Sequence, residues 1–105
     1  MTFRVHKDAR AEAVESADYY ERQQAGLGAQ FTDVVEVHLA KIKHTPQRFA
    51  KLETTRLKAD IRRCLLPRFP YLIIYEIVDD HIHVLAVAHA SRRPDYWIKR
   101  RATDD

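Results

Sequence analysis

The chain has 105 residues, room for one hydrophobic core and not for two, so a single domain spanning residues 1–105 is expected. Hydrophobic residues make up 46%, against two glycines and four prolines, which excludes a disordered chain or a loop-rich scaffold. A formal charge of +3 suits an anionic partner, Cys64 as the single cysteine excludes an intrachain disulfide and fits a reducing cytoplasm, and no apolar run is long enough for export or a membrane span.

Phe3 and Val5 alternate with Arg4 and His6, the period of a short strand with one face inward. From Asp8, read as an N-cap, the pattern turns helical. Ala13, Ala17 and Tyr20 share a stripe with Val14 beside them, while Arg10, Glu12, Glu15, Asp18 and Arg22 lie mostly elsewhere. Both glycines, Gly26 and Gly28, follow this helix and predict a stop and a tight reversal. A second helix carries Phe31, Val34, Val35, His38, Leu39 and Ile42 at i, i+3, i+4, i+7, i+8 and i+11, and Thr45-Pro46 ends it. The two helices should form a hairpin.

Residues 47–58 show no period and include the polar patch Glu53-Thr54-Thr55-Arg56, so a loop is expected, with Phe49 tucked inward. Residues 61–66, 71–78 and 81–87 are rich in Ile, Val, Leu and Tyr, and are separated by Pro67 and by Asp79-Asp80. Links this short predict an antiparallel meander. Residues 95–101 should add one or two helical turns or a frayed tail. The strands are nearly apolar on both parities, as expected if helices cover one face and loops or a partner seal part of the other. The fold class is therefore α+β: an N-terminal strand, a helical hairpin, then three antiparallel strands.

Arg62, Arg63, His89, Arg92, Arg93, Tyr96 and Trp97 form the first candidate surface. Strand alternation puts Arg62 and Arg63 on opposite faces, so one of the two at most can join a common site. Guanidinium groups pair with phosphates or acidic side chains, and Tyr and Trp stack on bases or anchor protein interfaces. The alternative is that Tyr96 and Trp97 pin the C-terminal segment to the core while the arginines are solvated. His81, His83 and His89 share one parity, but His81-x-His83 offers no third ligand, so no metal and no cofactor is expected. Cys64, beside Ile61 and Leu65, reads as a buried thiol without chemistry. The stripe of the second helix reads as core, with Val37 and Ala40 as the places where a partner helix would meet exposed apolar surface.

The Phe-Pro-Tyr-x-Ile-x-Tyr pattern at residues 69–75, the His-x-x-Arg-x-Pro-x-Tyr-Trp ending at residues 89–97, and Tyr19-Tyr20, Leu27-Gly28 and Phe31 upstream resemble the RelE/ParE superfamily of toxins from type II toxin–antitoxin systems. The likeness is closest to the ParE branch. It implies a helix pair packed on one sheet face, a cognate ParD-like antitoxin that wraps the toxin into a hetero-oligomer, DNA gyrase as the target, and action in the cytoplasm. It also implies that Arg62, Arg92, Arg93, Tyr96 and Trp97 touch target or antitoxin, with no catalytic residue. RelE-like ribonucleases, which cut ribosome-bound mRNA, carry a basic residue on the Tyr-x-x-x-Tyr strand where this chain has Leu72, with further basic residues before it. Their histidine- and acid-using relatives keep polar groups on the preceding strand, where this chain has Cys64, Leu65 and Leu66. In that alternative His89 is the acid or base, and Arg63 and Arg92 steady the phosphate.

Overall fold

The structure, a computed structural model, describes residues 1–53 and 57–101. Thr54, Thr55 and Arg56 of the polar patch lie outside the described residues. The elements are β1 (Thr2–Val5), α1 (Lys7–Gln23), α2 (Leu27–His44), β2 (Asp60–Leu65), β3 (Tyr71–Val78) and β4 (His81–His89), with 3-10 turns at Pro46–Arg48 and Ile98–Arg100. The four strands form one sheet in the order β1-β4-β3-β2. The meander is antiparallel as its short links require, and β1 returns to pair in parallel with β4 from Thr2↔His81 to Val5↔Val84.

The helical hairpin covers one face of this sheet. Phe31, Val35 and Ile42 of α2 and Ala9 of α1 are buried against Ile73, Tyr75, Ile82, Val84 and Val87. The rings of Tyr20, Phe31, Phe69 and Tyr71 meet with centroids 4.9 to 6.1 Å apart, mostly edge to face, the arrangement ring quadrupoles favour. Tyr75 donates its hydroxyl proton to the Pro46 carbonyl at 2.6 Å, tying the end of α2 to the middle of the sheet. Burial raises the Tyr75 phenol well above its ordinary pKa.

The opposite face holds a second apolar cluster of Ile61, Ile74, Leu85, Ala86, Ala88 and Trp97. Its cover contains no α-helix or strand: Leu52, Leu57 and Ala59 from one side, Tyr96 and Ile98, the latter opening the 3-10 turn, from the other. The double-sided apolar character of the strands thus has two different explanations on the two faces.

Four details differ from the sequence expectation. The N-cap of α1 is His6, whose Nδ1 accepts the Asp8 backbone N–H at 3.0 Å, and Asp8 sits inside the first turn, where a carboxylate suits the helix dipole. Gly26 supplies the reversal with φ of 89°, but Gly28 lies within α2 and lets α1 approach, since a Cβ there would sit 2.5 Å from the Ala17 carbonyl oxygen. Residues 47–58 include the 3-10 turn and a short bridge of Lys51 to Arg62 on the free edge of β2, with Phe49 against the Tyr75 ring as expected. A register shift between Ile74 and Tyr75 adds one residue to β4, so the parity of His81 and His83 does not extend to His89.

Candidate functional site

The second face carries a groove of about 650 Å³, floored by Leu72, Ile74, Ala88 and Trp97. Leu52 and Leu57 form one wall, and the segment from Arg92 to Tyr96 forms the other. The returning strand ends at His89 because the Ala90 N–H turns to the Pro70 carbonyl, and the Arg92 N–H closes a turn on the His89 carbonyl. Asp95 takes a left-handed φ of 68°, which Asp tolerates better than most residues, and this swings Tyr96 and Trp97 back onto the sheet.

Trp97 is only 1% exposed, so its indole forms part of the floor from beneath. Tyr96 is half-buried; its hydroxyl donates to Glu12 Oε2 at 2.6 Å. Burial first, and that hydrogen bond second, raise the Tyr96 phenol far above its ordinary pKa. The Arg92 guanidinium lies 3.9 Å from the centroid of the Tyr96 ring, a cation–π stack that fixes a cation at the rim. Arg93 is exposed beside it.

The other sequence candidates are placed differently. Arg62 lies on the helix-covered side: it pairs with Asp60 at 2.8 Å and donates to the carbonyls of Gln47 and Phe49, each at 2.8 Å. It therefore clamps the 47–49 turn to β2 and is not part of the groove. Arg63, opposite Ile74 in the ladder, is exposed on the groove side of the sheet but outside the groove lining. His89 lines the groove and packs edge-on against Tyr71, with centroids 5.1 Å apart. Its Nδ1 accepts the Ser91 N–H at 3.0 Å, which leaves Nε2 as the protonated nitrogen of the neutral ring. His81 bonds to the Thr2 hydroxyl at the far end of the strand. Among the described residues no cluster of three or more His, Cys, Asp or Glu is arranged to hold a metal ion. Cys64 is buried, and burial, opposed in part by Lys41, pushes its thiol up to about 11.

Two acidic residues organise this region without having been singled out in the sequence. Glu12 Oε1 accepts the Val87 N–H at 3.0 Å and an Arg100 N–H at 2.9 Å, and Arg100 also donates to the Leu85 carbonyl at 3.1 Å. β1 pairs with β4 only as far as Val84, so Glu12 and Arg100 satisfy the edge of β4 where the neighbouring strand has ended. Burial by itself would lower the Arg100 guanidinium, but its bonds to Glu12 outweigh that and raise its pKa. Glu76, 1% exposed in the middle of β3, is held by both Arg101 donors at 3.0 and 2.7 Å. Both carboxylates left a trace in the sequence. Glu12 lies three residues after Ala9, although the spacing set it apart from the stripe of Ala13, Ala17 and Tyr20, and Glu76 interrupts an apolar strand, where a charge signals a buried partner.

Comparison with known proteins fits this architecture. The family model of the ParE toxin of type II toxin–antitoxin system, parDE, matches residues 3–94. No curated protein matches the chain significantly. A solved chain described as the chromosomal ParDE TA system from P. aeruginosa superposes with a TM-score of 0.63 at 15% sequence identity, covering 85% of this chain and 95% of the other. At that identity the superposition speaks for the fold, a helical hairpin on a four-stranded sheet. No helix among the described residues is long and apolar enough to cross a membrane. With its matched region running from β1 through the strands to the arginine-bearing segment at Pro94, the chain belongs to the ParE toxin family of type II toxin–antitoxin systems.

Proposed function

We propose that the protein is a toxin that acts by binding, with DNA gyrase as its target and a ParD-like antitoxin as its neutralising partner in the cytoplasm. The observation that carries this reading is the groove: accessible apolar lining from Leu52, Leu57 and Leu72, backed by the buried Ile74, Ala88 and Trp97, beneath a rim of Arg92 and Arg93. An apolar floor with a cationic rim suits a protein segment that brings apolar anchors and carboxylates together, because burial supplies affinity and the charges supply orientation. Arg92 and Arg93 are the contact residues in this proposal, while Tyr96 and Trp97 support them from below. Arg62 contributes by holding the 47–49 turn.

The test is to incubate the purified protein with gyrase, ATP and plasmid DNA and to follow supercoiling and trapped cleaved DNA, with and without the antitoxin. Loss of supercoiling that the antitoxin reverses is expected. Arg92→Ala with Arg93→Ala should weaken inhibition about tenfold or more while the protein stays folded. Undisturbed supercoiling by folded protein that still arrests growth would shift the function to ribosome-dependent mRNA cleavage, with His89, Arg63 and Arg92 then to be tested on that reaction.

A further inference from the structure

Arg92 stands at an exposed rim, where a long side chain is normally free to wander; yet its guanidinium lies 3.9 Å from the centre of the Tyr96 ring. That ring is in turn held by the bond from its hydroxyl to Glu12 Oε2 at 2.6 Å and by the Arg100 guanidinium, 5.0 Å from its centroid. Glu12 is fixed by three further bonds: from the Val87 N–H at 3.0 Å and from Arg100 at 2.9 and 3.1 Å. Arg100 is itself bonded to the Leu85 carbonyl at 3.1 Å and lies 3.9 Å from the Asp8 carboxylate. A continuous chain of contacts therefore runs from the edge of β4, through one helix carboxylate and one tyrosine, to the rim cation.

We infer that Glu12 is the positioning residue of the binding surface: it locks the 90–101 segment onto β4 and, through Tyr96, aims Arg92 over the groove. Glu12 touches no partner in this scheme. Its task is to remove the freedom of the segment before binding, so that the ordering cost is met on folding and not on association. The same carboxylate takes over the hydrogen bond of a missing strand at Val87, which explains why an acidic side chain of α1 is mostly buried. This inference rests on the binding role proposed for the Arg92 rim, and its test separates the two.

The full-length Glu12→Gln protein keeps the side-chain shape and loses the charge; Tyr96→Phe keeps the ring beneath Arg92 and loses only the hydroxyl. Three quantities are read: amide hydrogen exchange, the ring-current shift of the Arg92 side-chain protons, and inhibition of gyrase supercoiling. In Glu12→Gln, exchange across residues 90–101 should quicken about tenfold or more, the usual worth of charge-assisted bonds, while α2 and the β2–β3 ladder keep their protection. The Arg92 ring-current shift should collapse, and inhibition should weaken by a similar factor. Tyr96→Phe should reproduce the pattern at a few-fold level. Unchanged exchange in 90–101, or a retained Arg92 shift, overturns the inference. Uniform loss of protection through the whole domain also overturns it, since Glu12 would then be an ordinary structural residue. If the wild-type protein leaves gyrase untouched, the proposed function fails, and the exchange and ring-current results still decide the role of Glu12.

Discussion

The two faces of the sheet are covered by different means. On the helix side, α1 and α2 lay an aromatic and aliphatic layer over β3 and β4, and the cover is regular, thick and mostly apolar. On the groove side, the cover is a strap with no α-helix or strand, held by one buried indole and by two carboxylates gripping arginines, Glu12 with Arg100 and Glu76 with Arg101. A helix satisfies its own backbone and can afford an apolar inner stripe, whereas a strap must have its polar groups met one by one. The helix side is built for stability, and the groove side is the one that the proposed function assigns to binding.

If that contrast holds, the largest single loss comes from the helix side. Phe31, fully buried at the centre of the ring cluster, should cost about 4 kcal/mol when replaced by alanine, through lost transfer energy and the cavity left behind. Urea unfolding followed by far-UV circular dichroism measures it. A loss below about 1 kcal/mol would mean that the aromatic layer is loosely packed.

On the groove side the comparable vulnerability is electrostatic. Arg101→Ala strands the Glu76 carboxylate, 1% exposed, and should cost about 3 kcal/mol, because a buried charge loses its paired donors. Replacing both residues by leucine should recover most of that loss, since two well-packed apolar groups often match a buried ion pair. A double-mutant cycle in urea reads the coupling directly. Strictly additive losses would show that the strap is not held by this pair.

The contrast also explains what was legible in the sequence. The helix side could be read closely: the 31, 34, 35, 38, 39, 42 stripe is regular, Pro46 stops it, and the meander follows from strand composition and short links. The groove side was legible only as a list of residue types. Nothing local tells that Trp97 is floor and Arg92 rim, because their placement depends on the left-handed turn at Asp95 and on carboxylates 84 residues away in sequence, as between Glu12 and Tyr96. Strand alternation told that Arg62 and Arg63 lie on opposite faces but not which of them faces the groove; the pairing of Arg62 with Asp60 and the 47–49 carbonyls puts it on the helix side. The parity shared by His81, His83 and His89 failed for a similar reason, since a one-residue bulge is invisible to an alternation count.

Gly28 sharpens the comparison within the helix side. Its hydrogen sits where a Cβ would meet the Ala17 carbonyl at 2.5 Å and Glu21 Cβ at 2.9 Å, so the two helices touch through backbone. Gly28→Ala gains helix propensity but must push the helices apart, for a net loss of about 2 kcal/mol measured by thermal unfolding. The Glu21 carboxylate accepts both the Gly26 and Gly28 N–H groups, so a displaced α2 also loses part of its N-terminal capping. Gly26→Ala meets no atom within 4 Å and is opposed only by its φ of 89°, so it should cost less, about 1 kcal/mol. The reverse order would place the strain in the turn and not in the helix crossing.

The smallest effect tests how dry the helix side is. Burial raises the Cys64 thiol from 9.0 to about 11 in the folded protein. Between those values the unfolded chain has released a proton that the folded chain still holds, so the unfolded state binds fewer protons and stability falls as pH rises. Below pH 9.0 the thiol is protonated in both states and its contribution is intact. Tyr20, Tyr75 and Tyr96, all raised above their ordinary 10.0, act in the same direction at slightly higher pH. Cys64→Ala should therefore remain sensitive to alkali but flatten the decline by on the order of 1 kcal/mol across the window from 9.0 to about 11. Comparing slopes of urea stability against pH, and not absolute stabilities, removes the cavity cost of the substitution from the result. Parallel slopes for the two proteins would mean that water reaches Cys64, and the helix side would then be no drier than the strap.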